Sequence, residues 1–213
     1  MLARDASPTE VLEVLYDRVH RAAFATAAHR GWHRLHAATV EHPCGRVLLV
    51  GPSGAGKTTL ACELIRRQGL AVPADESVVI RGTSSIPVAR RFHLKPGIAR
   101  FDRELDRLWG TLPGVADGTI RAWDPVESGH PCLVTERPIG AIVVMAGRGA
   151  ACLTPSPVID AMPTIIDNLF PFDERLGDLI GRTARLVDHL PVWTLAADDP
   201  AEAGNLLAQQ RLC

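Results

Sequence analysis

Apolar positions near the start of the chain recur at helical spacing: Val11, Leu12, Leu15 and Val19. Ser7, Pro8 and Glu10 stand ahead of them as N-cap, first helical residue and third, a start signature in which side chains satisfy the free amides of the first turn. The pattern predicts a helix from about Pro8 to about Ala28, packed on the core. Arg34 to Glu41 alternates weakly, as a strand does. The HPCG turn leads to Val47 to Val50, a short β-branched run that suits a buried strand. TLACELIRRQG then reads as a helix ending near Gly69. Leu70 to Val72 and Val78 to Ile80 are short strand candidates around ADE.

Downstream, RGTSSIP reads as a loop and RFHLKPG as a segment ending in a turn. Phe101 to Trp109 has helical spacing. Thr111 to Arg137 is rich in Gly, Pro and Asp and predicts loops with short strands. Ile139 to Met145 is a strongly apolar strand ending at AGRG. SPVIDAMPTIIDNLF predicts a helix with Pro163 as a kink point, Leu176 to His189 another, Pro191 to Leu195 a strand, and Asp199 or Pro200 the start of a last helix. No repeat, long linker or low-complexity tract divides the chain. The expectation is one α/β domain over 1–213, with a mixed sheet flanked by helices.

Between the Val47 to Val50 strand and the helix after it lies GPSGAGKT. Gly51, Gly56, Lys57 and Thr58 complete the G-x-x-x-x-G-K-[ST] pattern in its required strand–loop–helix setting. The physics accounts for each residue type. Gly51, Gly54 and Gly56 let the backbone curl around phosphates, and the amides through Ser53, Ala55 and Thr59 face an anion at the positive end of a helix. Lys57 neutralises charge on the β- and γ-phosphates, and the Thr58 hydroxyl ligates magnesium. The expected ligands are therefore ATP and Mg2+.

Such a loop does not name a reaction. No N-K-x-D guanine motif is present, and the apolar strand AIVVMAG ends without a carboxylate. The acidic pair available is Asp75-Glu76. Adjacent residues in an extended break point in different directions. One carboxylate then holds magnesium beside Thr58 while the other accepts a hydroxyl proton. Which does which is open.

Composition narrows the classes further. In 213 residues, 46% are hydrophobic and 22% charged, close to the globular average, so disorder is not the default. A net charge of −1 supplies no global basic field for nucleic acid or membrane. The N-terminal stretch MLARDASPTEVLEVLYDRV carries charges inside every apolar run and lacks a signal-peptide core. No apolar run is long enough for a membrane span. The five cysteines, Cys44, Cys62, Cys132, Cys152 and Cys213, show no C-x-x-C spacing, which argues against a zinc site or a disulfide framework. A soluble, cytoplasmic protein is expected.

The run LHAATVEHPCGRVLLVGPSGAGKTTLACELIRRQGLAVPADESVVI resembles the core of HPr kinase/phosphorylase and its compact relatives. His36, the CG turn, Gly51 to Thr58 and Asp75-Glu76 occur in that family's order. PVWTLAADDPAEAGNLL looks like the closing strand and helix of the compact relatives. The resemblance implies a kinase fold related to phosphoenolpyruvate carboxykinase and transfer of the ATP γ-phosphate to a serine hydroxyl. It also implies a role for His36 at the phosphates or beside a carboxylate. The acceptor is a protein, a precursor peptide or a small metabolite, and assembly into homo-oligomers is compatible with the family. The family's bacterial enzyme has two aspartates where this chain has Asp75 and Glu76. Its downstream glycine-rich segment, which serves phosphorolysis, has no counterpart here.

Lys95, Arg90, Arg91 and Arg100 are candidates for stabilising charge on a transferring phosphoryl group, and Arg137 is a weaker one; solvated surface charge is the alternative for each. His33, His42, His93 and His130 show no metal spacing. Trp32, Trp109, Trp123 and Trp193 suit packing. The alternative to a kinase is a nucleotide-sensing protein without turnover, and a plain ATPase is a third choice.

Overall fold

The apolar segment around Ile139 to Met145 is the spine of the fold in the computed structural model, which describes residues 8–98, 100–115, 119–130, 132, 134–171 and 174–212. The chain runs α1 (Pro8–His29), β1 (His33–Leu35), β2 (Ala37–His42), β3 (Gly45–Val50), α2 (Lys57–Arg66), β4 (Val78–Arg81), β5 (Ser84–Pro87) and β6 (Phe92–Leu94). A 3-10 turn at Pro96–Ile98 precedes α3 (Arg103–Leu108), β7 (Gly114–Val115) and β8 (Ile120–Trp123). The remainder is β9 (Arg137–Gly147), β10 (Cys152–Pro155), α4 (Val158–Asp167), β11 (Leu169–Phe170), α5 (Leu176–Val187), β12 (Val192–Ala196) and α6 (Pro200–Gln209).

The architecture is α/β, with a nine-stranded mixed sheet in the order β10-β12-β9-β5-β4-β1-β11; β3 also pairs with β9, and β2 with β3. β3 and β12 both run parallel to β9, with Val50 opposite Val144 and Val192 opposite Ile142. The other pairings in this sheet are antiparallel. Alternation along β3 and β9 splits the interior into two layers. Val47, Leu49, Ala141 and Val143 face a core with α2 and α6; Leu48, Val50, Ile142 and Val144 face a core with α4 and α5. A small sheet, β6-β8-β7, adds Phe92 and Trp123 to the first layer. Arg46, 0% exposed, sits at the start of β3 and bonds to Glu41, to the Ser85 carbonyl (2.7 Å) and to the Thr135 carbonyl (2.9 Å). No helix among the described residues is long and apolar enough to cross a membrane.

Several segments depart from the sequence expectation. The Arg34 to Glu41 strand is broken at His36: β1 pairs with β4 and β11, whereas β2 pairs with β3. Leu70 to Val72 is not a strand, although its neighbourhood runs along β2 through Glu41 N–H to Ala71 O and Thr39 N–H to Ala74 O. Pro73, between those two contacts, has no N–H with which to continue a ladder. RGTSSIP is no loop but a hairpin, β4 to β5, turning at Gly82 with φ +58°. The SPVIDAMPTIIDNLF helix stops at Asp167, and Leu169–Phe170 becomes β11. Ser7, the expected cap of α1, lies outside the described residues. Leu15 and Val19 of that helix are 51% and 65% exposed, and Phe24 (5%) carries its packing. Cys44 is disulfide-bonded; Cys62, Cys132 and Cys152 are free, and Cys213 lies outside the described residues. A bridge at Cys44 leaves no local spacing signature to read.

Candidate functional site

β3 delivers the chain to Gly51, and the loop closes into α2 through glycines in the left-handed region, Gly54 at φ +86° and Gly56 at φ +95°. Gly51 is required for space instead. A Cβ there would lie 3.0 Å from Met145 Cβ and 3.3 Å from Ala55 Cβ. Gly56 caps α2 without a side-chain hydrogen bond, which leaves the first-turn amides to an anion at the positive helix end. Lys57 is buried, and its Nζ donates to the carbonyls of Gly51 (2.5 Å) and Pro52 (3.2 Å). Burial lowers its pKa, while Glu76 and Asp75 pull it back up.

The acidic pair reaches the loop because the chain after α2 is pinned to β2. Ala74 donates to Thr39 Oγ1 (3.1 Å), and its carbonyl accepts from Thr39 N (2.7 Å). Asp75 follows at 1% exposure, and its Oδ2 accepts from Thr58 Oγ1 at 3.1 Å. Burial, then the charge of Glu76, raises this carboxyl to about 7; Arg90 and the Thr58 hydroxyl act in the opposite sense. Asp75 Oδ1 is buried with no partner. A hydroxyl and a carboxylate side by side, with a carboxylate oxygen to spare, are hard oxygen donors of the kind magnesium takes beside phosphates. No group of three or more His, Cys, Asp or Glu among the described residues forms a metal cage. A metal carried with phosphates does not need one.

Glu76 points elsewhere, as adjacent residues in an extended segment do. Its Oε2 lies 2.6 Å from Arg90, which also meets His93 Nδ1 at 3.0 Å. His36 joins the group from the break between β1 and β2, where its backbone N–H donates to Asn168 O (2.8 Å). Burial lowers the His36 pKa, and Lys57 lowers it further. Ser53, Lys57, Thr58, Asp75, Glu76 and His36 thus line one cleft of about 280 Å³.

Lys95 and Arg100 line that cleft too. Arg91 and Arg137 do not. Arg91 pairs with Glu127 (2.8 Å), and Arg137, at the opposite end of β9 from Val144, pairs with Glu41 (2.7 Å). Two flanking clefts were not anticipated from the sequence. One, about 170 Å³, lies beside Ala55, Thr59 and Leu60 and is walled by Phe101, Met145 and Leu195. The other, about 530 Å³, lies beyond His36, Pro52 and Ser53, against Thr164, Asp167 and Phe170. The first had a readable signal: β3, β9 and β12 are parallel, so the residues following each emerge at the same end of the sheet, where open α/β sheets bind ligands. The second depends on β11, which has only two residues. Neither a family model nor a curated protein matches the chain.

Proposed function

We propose that the protein is an ATP- and magnesium-dependent phosphotransferase that moves the γ-phosphate to a hydroxyl, in the manner of the HPr kinase family it resembles. The observation that carries this reading is the 3.1 Å contact between Thr58 Oγ1 and the buried Asp75 carboxylate at the end of a glycine-rich loop. A loop that only gripped an anion would gain nothing from burying an acid beside it, because the two negative charges repel. A divalent cation held by Asp75 and Thr58 would remove the conflict.

The amides of residues 54 to 59 cradle the phosphates at the start of α2. Lys57 exchanges the Gly51 and Pro52 carbonyls for β- and γ-phosphate oxygens. Asp75 and Thr58 would hold magnesium, which when bound would offset charge on the phosphate oxygens. Glu76, held in orientation by Arg90, accepts the proton of the attacking hydroxyl. The new bond joins that oxygen to Pγ, the bond from Pγ to the bridging oxygen breaks, and ADP leaves. Lys95 and Arg100 face the transferring group. The apolar walls of the smaller cleft, Leu60, Phe101, Met145 and Leu195, suit the nucleoside.

Purified protein incubated with ATP, magnesium and seryl peptides or hydroxyl metabolites should give an acceptor heavier by one phosphate, and Lys57→Ala should abolish the gain. Glu76→Gln should lower kcat by about 100-fold or more with nucleotide affinity nearly unchanged. Asp75→Asn should instead raise the magnesium concentration needed. Tight ATP binding without transfer to any acceptor would replace this reading with a nucleotide sensor.

A further inference from the structure

The three clefts follow one another along the loop, and the order has a direction. The central cleft shares Gly54, Gly56 and Thr59 with the smaller one, and His36 and Ser53 with the larger. Lys57 Nζ, the group that meets the β- and γ-phosphates in a loop of this type, rests on Gly51 and Pro52. Pro52 itself lines the larger cleft. The helix start and Thr59 lie toward the smaller. A nucleotide laid along the loop therefore directs its nucleoside to the smaller cleft and its γ-phosphate toward the larger. In-line transfer requires the acceptor oxygen to approach from the side away from ADP.

We propose that the larger cleft is the acceptor subsite and that it selects hydroxyl compounds carrying a positively charged nitrogen. The inference rests on the phosphotransferase reading above. The preference for a cation comes from the lining. Asp167 brings a full charge to this wall, is exposed, and forms no ion pair among the described residues. It is the last residue of α4, whose carbonyl end adds negative partial charge and whose last turn has no basic residue. Phe170 offers a ring that is 38% exposed. Arg34 already stacks on that ring, its Cζ 4.4 Å from the centroid, so the charge left to attract a second cation is that of Asp167 with the α4 carbonyl end. Thr164 and Ser53 add neutral hydrogen-bonding groups to the same lining. A basic residue beside a serine in a peptide and a free amino alcohol share this chemistry.

The test uses the full chain with ATP and magnesium and three acceptors: a lysine-flanked seryl peptide, the same peptide flanked by glutamates, and ethanolamine. The wild type should favour the lysine-flanked peptide or ethanolamine over the glutamate-flanked peptide by at least tenfold in kcat/KM, carried by KM. Which of the two is phosphorylated identifies the source. Asp167→Lys should collapse or invert that ratio while the KM for ATP stays the same. Equal preference in wild type and variant, or a preference for the glutamate-flanked peptide, would overturn the inference and leave the phosphotransferase standing. If no acceptor is phosphorylated, calorimetry on protein loaded with a non-hydrolysable ATP analogue decides. Tighter binding of a cationic probe, lost in Asp167→Lys, supports the subsite; equal or absent binding removes it. Failure to bind ATP, or binding indifferent to Lys57→Ala, would remove the phosphotransferase reading itself.

Discussion

The Asp75 carboxyl ionises at about 7 in the folded chain, against an ordinary value of 3.8, because water cannot reach it and Glu76 is its neighbour. Between those two values the folded state binds more protons than the unfolded state. The contribution of this group to stability is therefore greatest below the ordinary value, falls as pH rises toward 7, and stays low above it. Replacing the acid with an amide removes the dependence and keeps an acceptor for Thr58. Asp75→Asn should match the wild type in chemical denaturation near pH 4 and exceed it by a few kcal/mol near pH 8, in magnesium-free buffer. Magnesium with ADP should narrow or reverse the difference at pH 8, since a bound cation favours the charged acid. A variant no more stable than wild type at pH 8 would show that the acid is not held against its ionisation. The loop, Lys57 and the acidic pair were legible in the sequence because a tight turn around an anion demands particular residue types at fixed offsets. Asp167, Asn168 and Phe170 carry no such demand; they reach the loop only because β11 folds back onto β1.

The elements buried in the two core layers followed their hydrophobic period; α1, the longest helix, leaves Leu15 and Val19 exposed. α2, α5, β3 and the middle of β9 lie close to where the apolar pattern puts them, since the helices bury a face on the sheet and the two strands are covered on both faces. The short ones did not. β10 (CLTP) and β5 (SSIP) have few large apolar residues, and β11 has two residues in all. Their pairing comes from distant partners, and no local period records it. Gly140 shows how closely such partners approach. A Cβ there would lie 2.5 Å from the Cys44 carbonyl oxygen and 3.0 Å from its carbon, and backbone atoms cannot rotate away. Gly140→Ala should cost about 1–3 kcal/mol, read as a lower Tm. Gly177→Ala, where no atom lies within 4 Å, should cost far less. Equal melting of the two would show that the turn before β3 shifts freely.

Over the whole molecule the sheet is uneven. β9 is paired through five register positions with β3 and five with β12, and it is covered on both faces. Beyond β5 the sheet narrows: β1 holds β4 by three positions and β11 by two. Amide hydrogen exchange converts this taper into time. Amides of β3 and β9 should exchange only on global unfolding, while those of Arg34 and Phe170 exchange orders of magnitude sooner through local opening. Uniform protection across the sheet would contradict this. The wall of the larger cleft is then its most yielding part, and the loop side its most rigid. On the proposed reading, such a molecule would grip one nucleotide geometry closely and remodel around acceptors of different bulk.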